Sequence, residues 1–150
     1  VILGLDCSSV VIGWCVLDGI TVRDFGEIQL RHTDIAQRCR LAYAGVGLVL
    51  ATHPDVDAVA LESPVARFAK ACIPQARVSG AVLALCALRG LLVCEVTPGQ
   101  AKARLSGHGD ADKPMMQRAA LCYGVIGEHA SDALGVGLAA LGKVEVTKGG

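Results

Sequence analysis

The chain has 150 residues, 53% apolar and 19% charged, with a formal net charge of zero and a mean hydropathy of +0.50. That length suits one domain spanning 1–150, and that composition builds a packed core and excludes intrinsic disorder. The longest apolar-plus-glycine run, residues 41–51, has 11 residues; a membrane span needs about 20, so no membrane partner is expected.

Residues 1–6 form a short apolar strand that ends in Asp6. Residues 10–17 are a second strand, rich in β-branched types. Asp18-Gly19 reads as a hairpin turn, and residues 20–30 as a third, alternating strand. From Thr33 to Thr52 the apolar residues take helical spacing, with Ile35, Cys39, Ala42, Val46, Val49 and Leu50 on one stripe. Thr33 or Asp34 caps this helix, and Pro54 follows it. Residues 57–62 make a buried strand ending in Glu62. A long apolar helix covers about 68–88, with Pro74 starting or kinking it. Residues 91–96 are another buried strand. Thr97-Pro98 is an N-cap and N1 pair for a helix over 98–105. Ser106-Gly107-His108-Gly109 is a loop, and Asp110 or Asp112 caps a helix to about Tyr123. The last helix runs from about Gly127 to Leu141. An opening hairpin set extended by β-α-β crossovers is an α/β layer architecture.

The seven cysteines show no CxxC spacing, and their number is odd. Most lie in apolar runs, where a reduced cysteine is a small hydrophobe. A reducing, cytoplasmic location is expected, and structural zinc is not. The opening Val-Ile-Leu-Gly-Leu-Asp has no basic n-region, so no secretory signal is expected. Zero net charge hides an asymmetry: residues 63–120 carry eight Lys/Arg against three acids. A neutral chain with such a segment can own a basic face for a polyanion.

Two acids stand where burial makes them costly. Asp6 and Glu62 each close an apolar strand, and strand ends of α/β sheets gather sites. His129 and Asp132 are three apart on a helix, about 60° around its axis, so they share a face. Glu128 points about 100° away from His129 and is the weaker ligand candidate. Asp6, Glu62, His129 and Asp132 together are hard oxygen donors with one imidazole, which suit Mg²⁺ or Mn²⁺.

These residues carry a resemblance. Ile2-Leu3-Gly4-Leu5-Asp6 with Gly13, Ala60-Leu61-Glu62, Gln75-Ala76-Arg77, then Lys102, Gly107 and Lys113, and finally His129-Ala130-Ser131-Asp132-Ala133-Leu134 stand in an order similar to the RuvC-type Holliday-junction resolvases, in particular compact phage-like members. The resemblance implies the ribonuclease-H-like fold: a mixed five-stranded sheet, its first three strands antiparallel, its fourth and fifth parallel to the first, with helices on both faces. It implies a homodimeric, metal-dependent endonuclease that cuts two strands of a four-way DNA junction by paired nicks, with two Mg²⁺ ions per site and Mn²⁺ as a substitute. By position, Asp6, Glu62, His129 and Asp132 are the implied metal ligands and catalytic residues. Lys102, Lys113, Arg104, Arg77 and Arg67 are candidates for phosphate contacts. Family members commonly carry an aromatic wedge soon after the Glu; Val65 stands there in this chain, and Phe68 is the nearest aromatic.

Three rivals share parts of this pattern. An actin-like or sugar-kinase ATPase half has a similar first strand, but needs a second half for which 150 residues leave no room. A YqgF-like nuclease acting on RNA, or a broader branched-DNA debranching nuclease, would have the same topology. A catalytically inert junction-binding module would have no use for acids beside a phosphate.

Overall fold

The computed structural model describes residues 1–63 and 69–148. The elements, in chain order, are β1 (Ile2–Cys7), β2 (Val11–Asp18), β3 (Thr21–Gln29), α1 (Ile35–Thr52), β4 (Ala58–Glu62), α2 (Ala69–Leu88), β5 (Leu92–Val96), α3 (Pro98–Ser106), α4 (Lys113–Leu121) and α5 (Glu128–Lys148). One sheet has the strand order β3-β2-β1-β4-β5. β1 pairs antiparallel with β2 and parallel with β4, β2 pairs antiparallel with β3, and β4 pairs parallel with β5. This is the expected mixed sheet, with β1 at its centre.

Strand alternation decides which helices cover which face. Leu3, Leu5 and Cys7 of β1 join Val59 and Leu61 of β4 against Val46 and Leu50 of α1 and Val78, Val82 and Leu85 of α2. The opposite side chains face α5: Cys15 and Leu17 meet Ala130, Ala133 and Leu134, and Ile2, Ala58 and Ala60 meet Val136 and Ala140. Asp6 and Glu62 have the parity of Ile2 and Ala58, so both point to the α5 face. The β1–β4 register runs to Leu5 beside Leu61, which leaves Asp6 and Glu62 on the following rung.

Caps resolve the open alternatives. Asp34 caps α1, accepting from the Ala36 N–H at 3.1 Å. Asp112 caps α4, accepting from the Met115 N–H at 2.9 Å. Thr97 and Gln100 form a reciprocal capping box at α3, with Pro98 at its first turn. Pro74 sits inside α2 rather than starting it. The last helix does not stop at Leu141. It continues to Lys148, past Gly142, because Val144 is buried with Ile2 and Ala58; tertiary burial outweighs the roughly 1 kcal/mol that a helical glycine costs.

Among the described residues no two cysteines form a disulfide. Cys7 lies under the sheet on the α2 side, and burial first, then Asp6, pushes its thiol up to about 12. It is an apolar filler, as its sequence context predicts. No described helix is long and apolar enough to cross a membrane.

Candidate active site

Three elements bring the candidate acids and His129 to one end of the sheet. Asp6 is the penultimate residue of the central strand, Glu62 ends its parallel neighbour, and Asp132 hangs from the first turns of α5. These three carboxylates line a cleft of about 110 Å³, walled by Pro98, Ala101 and Lys102 of α3 and Met116 of α4. That volume suits a few water-sized groups or a phosphate; it is well below the ~300 Å³ at which sites for drug-sized ligands begin.

α5 reaches the acids because glycines let it lie almost on the sheet. A Cβ on Gly13 would fall 2.0 Å from the His129 carbonyl oxygen, and one on Gly4 would fall 2.3 Å from that of Ala133. Gly135, on the other side of the helix, packs so closely on α3 that its Cβ would lie 2.9 Å from the Ala101 carbonyl oxygen. Bare backbone on β1 and β2 thus sets the height at which His129 and Asp132 hang over Asp6.

His129 Nδ1 lies 3.3 Å from Asp6 Oδ2. A carboxylate only accepts, so the ring N–H at Nδ1 donates. In the neutral ring that leaves the Nε2 lone pair for a ligand. The bond to Asp6 is the main reason that the His129 imidazolium is held above its ordinary pKa; Glu27 and Glu128 add to it, and burial opposes it.

The other two acids are strained electrostatically. Burial first, then Asp6 and Asp132, pushes Glu62 up to about 7, against some relief from Lys102. Burial first, then Asp6 and Glu128, pushes Asp132 up to about 6, with His129 and Lys113 opposing. A group whose folded pKa is raised holds a proton that the unfolded chain has already released. Stability therefore falls as pH rises through the interval between the two values. His129 acts in the same direction, since its favourable charge is lost as pH rises. In EDTA, the thermal midpoint is expected to drop from about pH 4 to about pH 7, and Glu62→Gln with Asp132→Asn should flatten that slope; an unchanged slope would remove these two acids as its cause.

Among the described residues no three His, Cys, Asp or Glu side chains are gathered on one point as ligands of a single ion. Unscreened carboxylates repel one another, and Asp6 is engaged by the His129 ring. The donors line the cleft instead. Their chemistry nevertheless fits a hard divalent cation: three carboxylates line a partly buried space with one ammonium, that of Lys102, in its wall, and the His129 imidazole is bonded to one of them, Asp6.

The predicted basic residues separate into groups. Lys102 lines the cleft. Lys113, one turn before Met116 of the cleft wall, makes an ion pair with Glu128. Arg104 does not join them: it lines a separate shallow groove with Gln100, Ala139 and Lys143, because α3 turns it away from the face that carries Lys102. Arg77 is exposed on α2, which covers the other side of the sheet. Arg67 and Phe68 lie outside the described residues.

Sequence reasoning misses Glu27. The signal that finds it is the hairpin register, in which Glu27 sits opposite Gly13. It thereby shares a rung and a face with Asp6, and its Oε1 reaches within 3.6 Å of where a Gly127 Cβ would be, at the start of α5.

A family model described as crossover junction endodeoxyribonuclease RuvC matches residues 2–140. The crossover junction endodeoxyribonuclease RuvC of Erythrobacter litoralis is 34% identical over 148 residues, covering 93% of this chain and 91% of that protein. The protein of the same name from Alkalilimnicola ehrlichii is 32% identical over 116 residues, covering 75% of this chain and 70% of its own. In fold, the chain is similar to T. thermophilus RuvC solved in complex with a Holliday junction substrate, with a TM-score of 0.80 at 23% identity over 97% of this chain and 95% of that one. The ordered motifs, the ribonuclease-H-like sheet and the acid-lined cleft agree with these matches, and the chain belongs to the RuvC family of crossover junction endodeoxyribonucleases.

Proposed function

We propose that this chain resolves four-way DNA junctions by paired symmetric nicks, using two Mg²⁺ ions per site, with Mn²⁺ as a substitute. The observation that carries this reading is the meeting of Asp6, Glu62 and Asp132 in one cleft beside His129. In this reading Asp6, on the central strand, would serve both ions, Glu62 would hold one, and Asp132 with His129 the other. Bound there, divalent ions supply charge stabilisation at the phosphate and a water acidic enough to attack it.

The chain's own residues do the rest. The carboxylates order the site and keep it anionic until cations arrive. Lys102 and Lys113 offer ammonium groups to phosphate oxygens, contacts that position the backbone without reading sequence. Lys102→Ala should weaken junction binding and lower its salt dependence by about one counterion, measured by titration across salt concentrations in Ca²⁺; an unchanged salt slope would remove Lys102 from the interface.

Two nicks related by a two-fold axis need two sites, so the working unit in this reading is a homodimer. Helix α2 supports it: Ile73, Ala76, Gly80, Leu83, Ala84 and Leu88 form an exposed stripe at helical spacing, and small residues there allow close helix approach. We read residues 1–150 as a single nuclease domain that works on DNA in the cytoplasm. Leu83→Glu is expected to halve the mass in sedimentation and to leave single nicks.

The test is incubation with synthetic four-way, three-way, flap and linear DNAs and a branched RNA, in Mg²⁺, Mn²⁺ or EDTA. Paired nicks in four-way DNA with either metal, and none in EDTA, are expected. Preference for RNA would favour the YqgF-like alternative, and equal cutting of all branches a debranching nuclease.

A further inference from the structure

Glu128 and Lys113 are 15 residues apart in the chain, on different helices, yet Lys113 Nζ donates to Glu128 Oε1. Each end of this pair is set by its helix. Lys113 opens α4, where the helix dipole disfavours a cation, and the neighbouring Asp112 carboxylate is committed to capping the Met115 N–H. Glu128 opens α5, where the dipole favours an acid. It stands one turn before Asp132, about 40° around the axis, so it borders the cleft beside that acid and faces the start of α4, where Lys113 stands one turn before Met116 of the cleft wall.

The pair borders the acidic site. Glu128 is the main influence that holds the Lys113 ammonium above its ordinary pKa, and Asp132 and Asp6 reach it as well. Asp132 in turn feels both Glu128 and Lys113. Both partners are solvent-exposed, with side-chain exposures of 71% for Lys113 and 37% for Glu128, so the pair contributes little to folding. It does limit where a flexible four-carbon stem can put its charge.

We propose that Glu128 is a positioning residue: it holds the Lys113 ammonium at the mouth of the acid-lined cleft, where the phosphate of bound DNA will meet it. This rests on the nuclease reading above. The ammonium has three donors; one stays on Glu128 while another takes a phosphate oxygen. Glu128 needs no contact with DNA or metal to act this way.

The test compares wild type, Glu128→Gln, Glu128→Asp, Lys113→Met and the double variant Lys113→Met/Glu128→Gln. Single-turnover junction cleavage is measured in Mg²⁺, junction affinity in Ca²⁺, and thermal midpoint in both. Glu128→Gln should slow cleavage about tenfold, with affinity and midpoint close to wild type, and Glu128→Asp should recover most of the rate. Lys113→Met should slow it at least as much, and adding Glu128→Gln to Lys113→Met should cost nothing more. Wild-type rate in Glu128→Gln, or the same loss in the Lys113→Met background, overturns the proposal. A nitrogen-15 spectrum of the lysine ammonium groups reports the pairing independently of cleavage: a sharp Lys113 signal in wild type that broadens in Glu128→Gln supports it, and identical signals overturn it. If the signals differ but wild type cuts no junction, the nuclease reading fails while the pairing stands.

Discussion

Asp6→Asn is expected to leave junction binding intact and to lower cleavage by about a thousandfold or more. The substitution keeps the size and planarity of the side chain, so β1 and its core contacts persist. It removes the charge at the point where the site converges. Asp6 is the group whose charge raises both Glu62 and Asp132 after burial itself, and it is the acceptor for His129. An amide there still accepts a hydrogen bond, but it offers a cation far less. The same change has an opposite effect on stability: with one negative charge gone, Glu62 and Asp132 are less frustrated. The metal-free variant should therefore melt at the same temperature as wild type or above it at neutral pH, a trade of stability for activity common at functional sites. Single-turnover cleavage, binding in Ca²⁺ and a melting curve in EDTA check all three parts. Near-wild-type cleavage would remove Asp6 from the role.

Gly13→Ala is expected to cost about 3 kcal/mol or more, or about 10 °C in thermal midpoint, because overpacking against backbone has no flexible side chain to yield. The new methyl would fall 2.0 Å from the His129 carbonyl oxygen and 2.3 Å from its carbonyl carbon. Either α5 rises from the sheet or β2 bends. Both move His129 away from Asp6 and Asp132 away from the cleft, so activity should fall further than stability alone explains. A control separates this seam from glycine content in general. Gly142→Ala, in the same helix with nothing within 4 Å of the added methyl, should be neutral or slightly stabilising. Melting curves of the two variants decide the point; a midpoint for Gly13→Ala equal to wild type would show that α5 does not rest on β2 as described.

What the sequence made legible follows from local rules. Asp6 and Glu62 stood out because each ends an apolar strand, and period-2 alternation then puts both on one face. His129 and Asp132 share a helix face by spacing alone. The Thr97–Gln100 capping box and the turn at Gly19 are equally local. The ordered motifs supplied the order of the strands. The rest depends on contacts that spacing does not encode. The height of α5 over the sheet is set by Gly4 and Gly13, which look like ordinary strand glycines until the helix is placed against them. Glu27 enters the neighbourhood of His129 only through the β2–β3 register. Glu128, one turn before Asp132 on α5, gains its significance from Lys113 on another helix. The extension of α5 beyond Gly142 follows from Val144 finding a buried place beside Ile2. Arg104 shows the converse: adjacency in sequence to Lys102 did not put it in the same cleft, since two residues along a helix turn the side chain by about 160°.

The central claim is that acids from β1, β4 and α5 together hold divalent cations. Crystals soaked in Mn²⁺, with data collected at the manganese absorption edge, test it most directly. The account predicts anomalous peaks in the cleft, bound by Asp6, Glu62, Asp132 and the Nε2 atom of His129, and lost in Asp6→Asn. Manganese bound elsewhere on the protein, with that cleft empty at saturating metal, would contradict it.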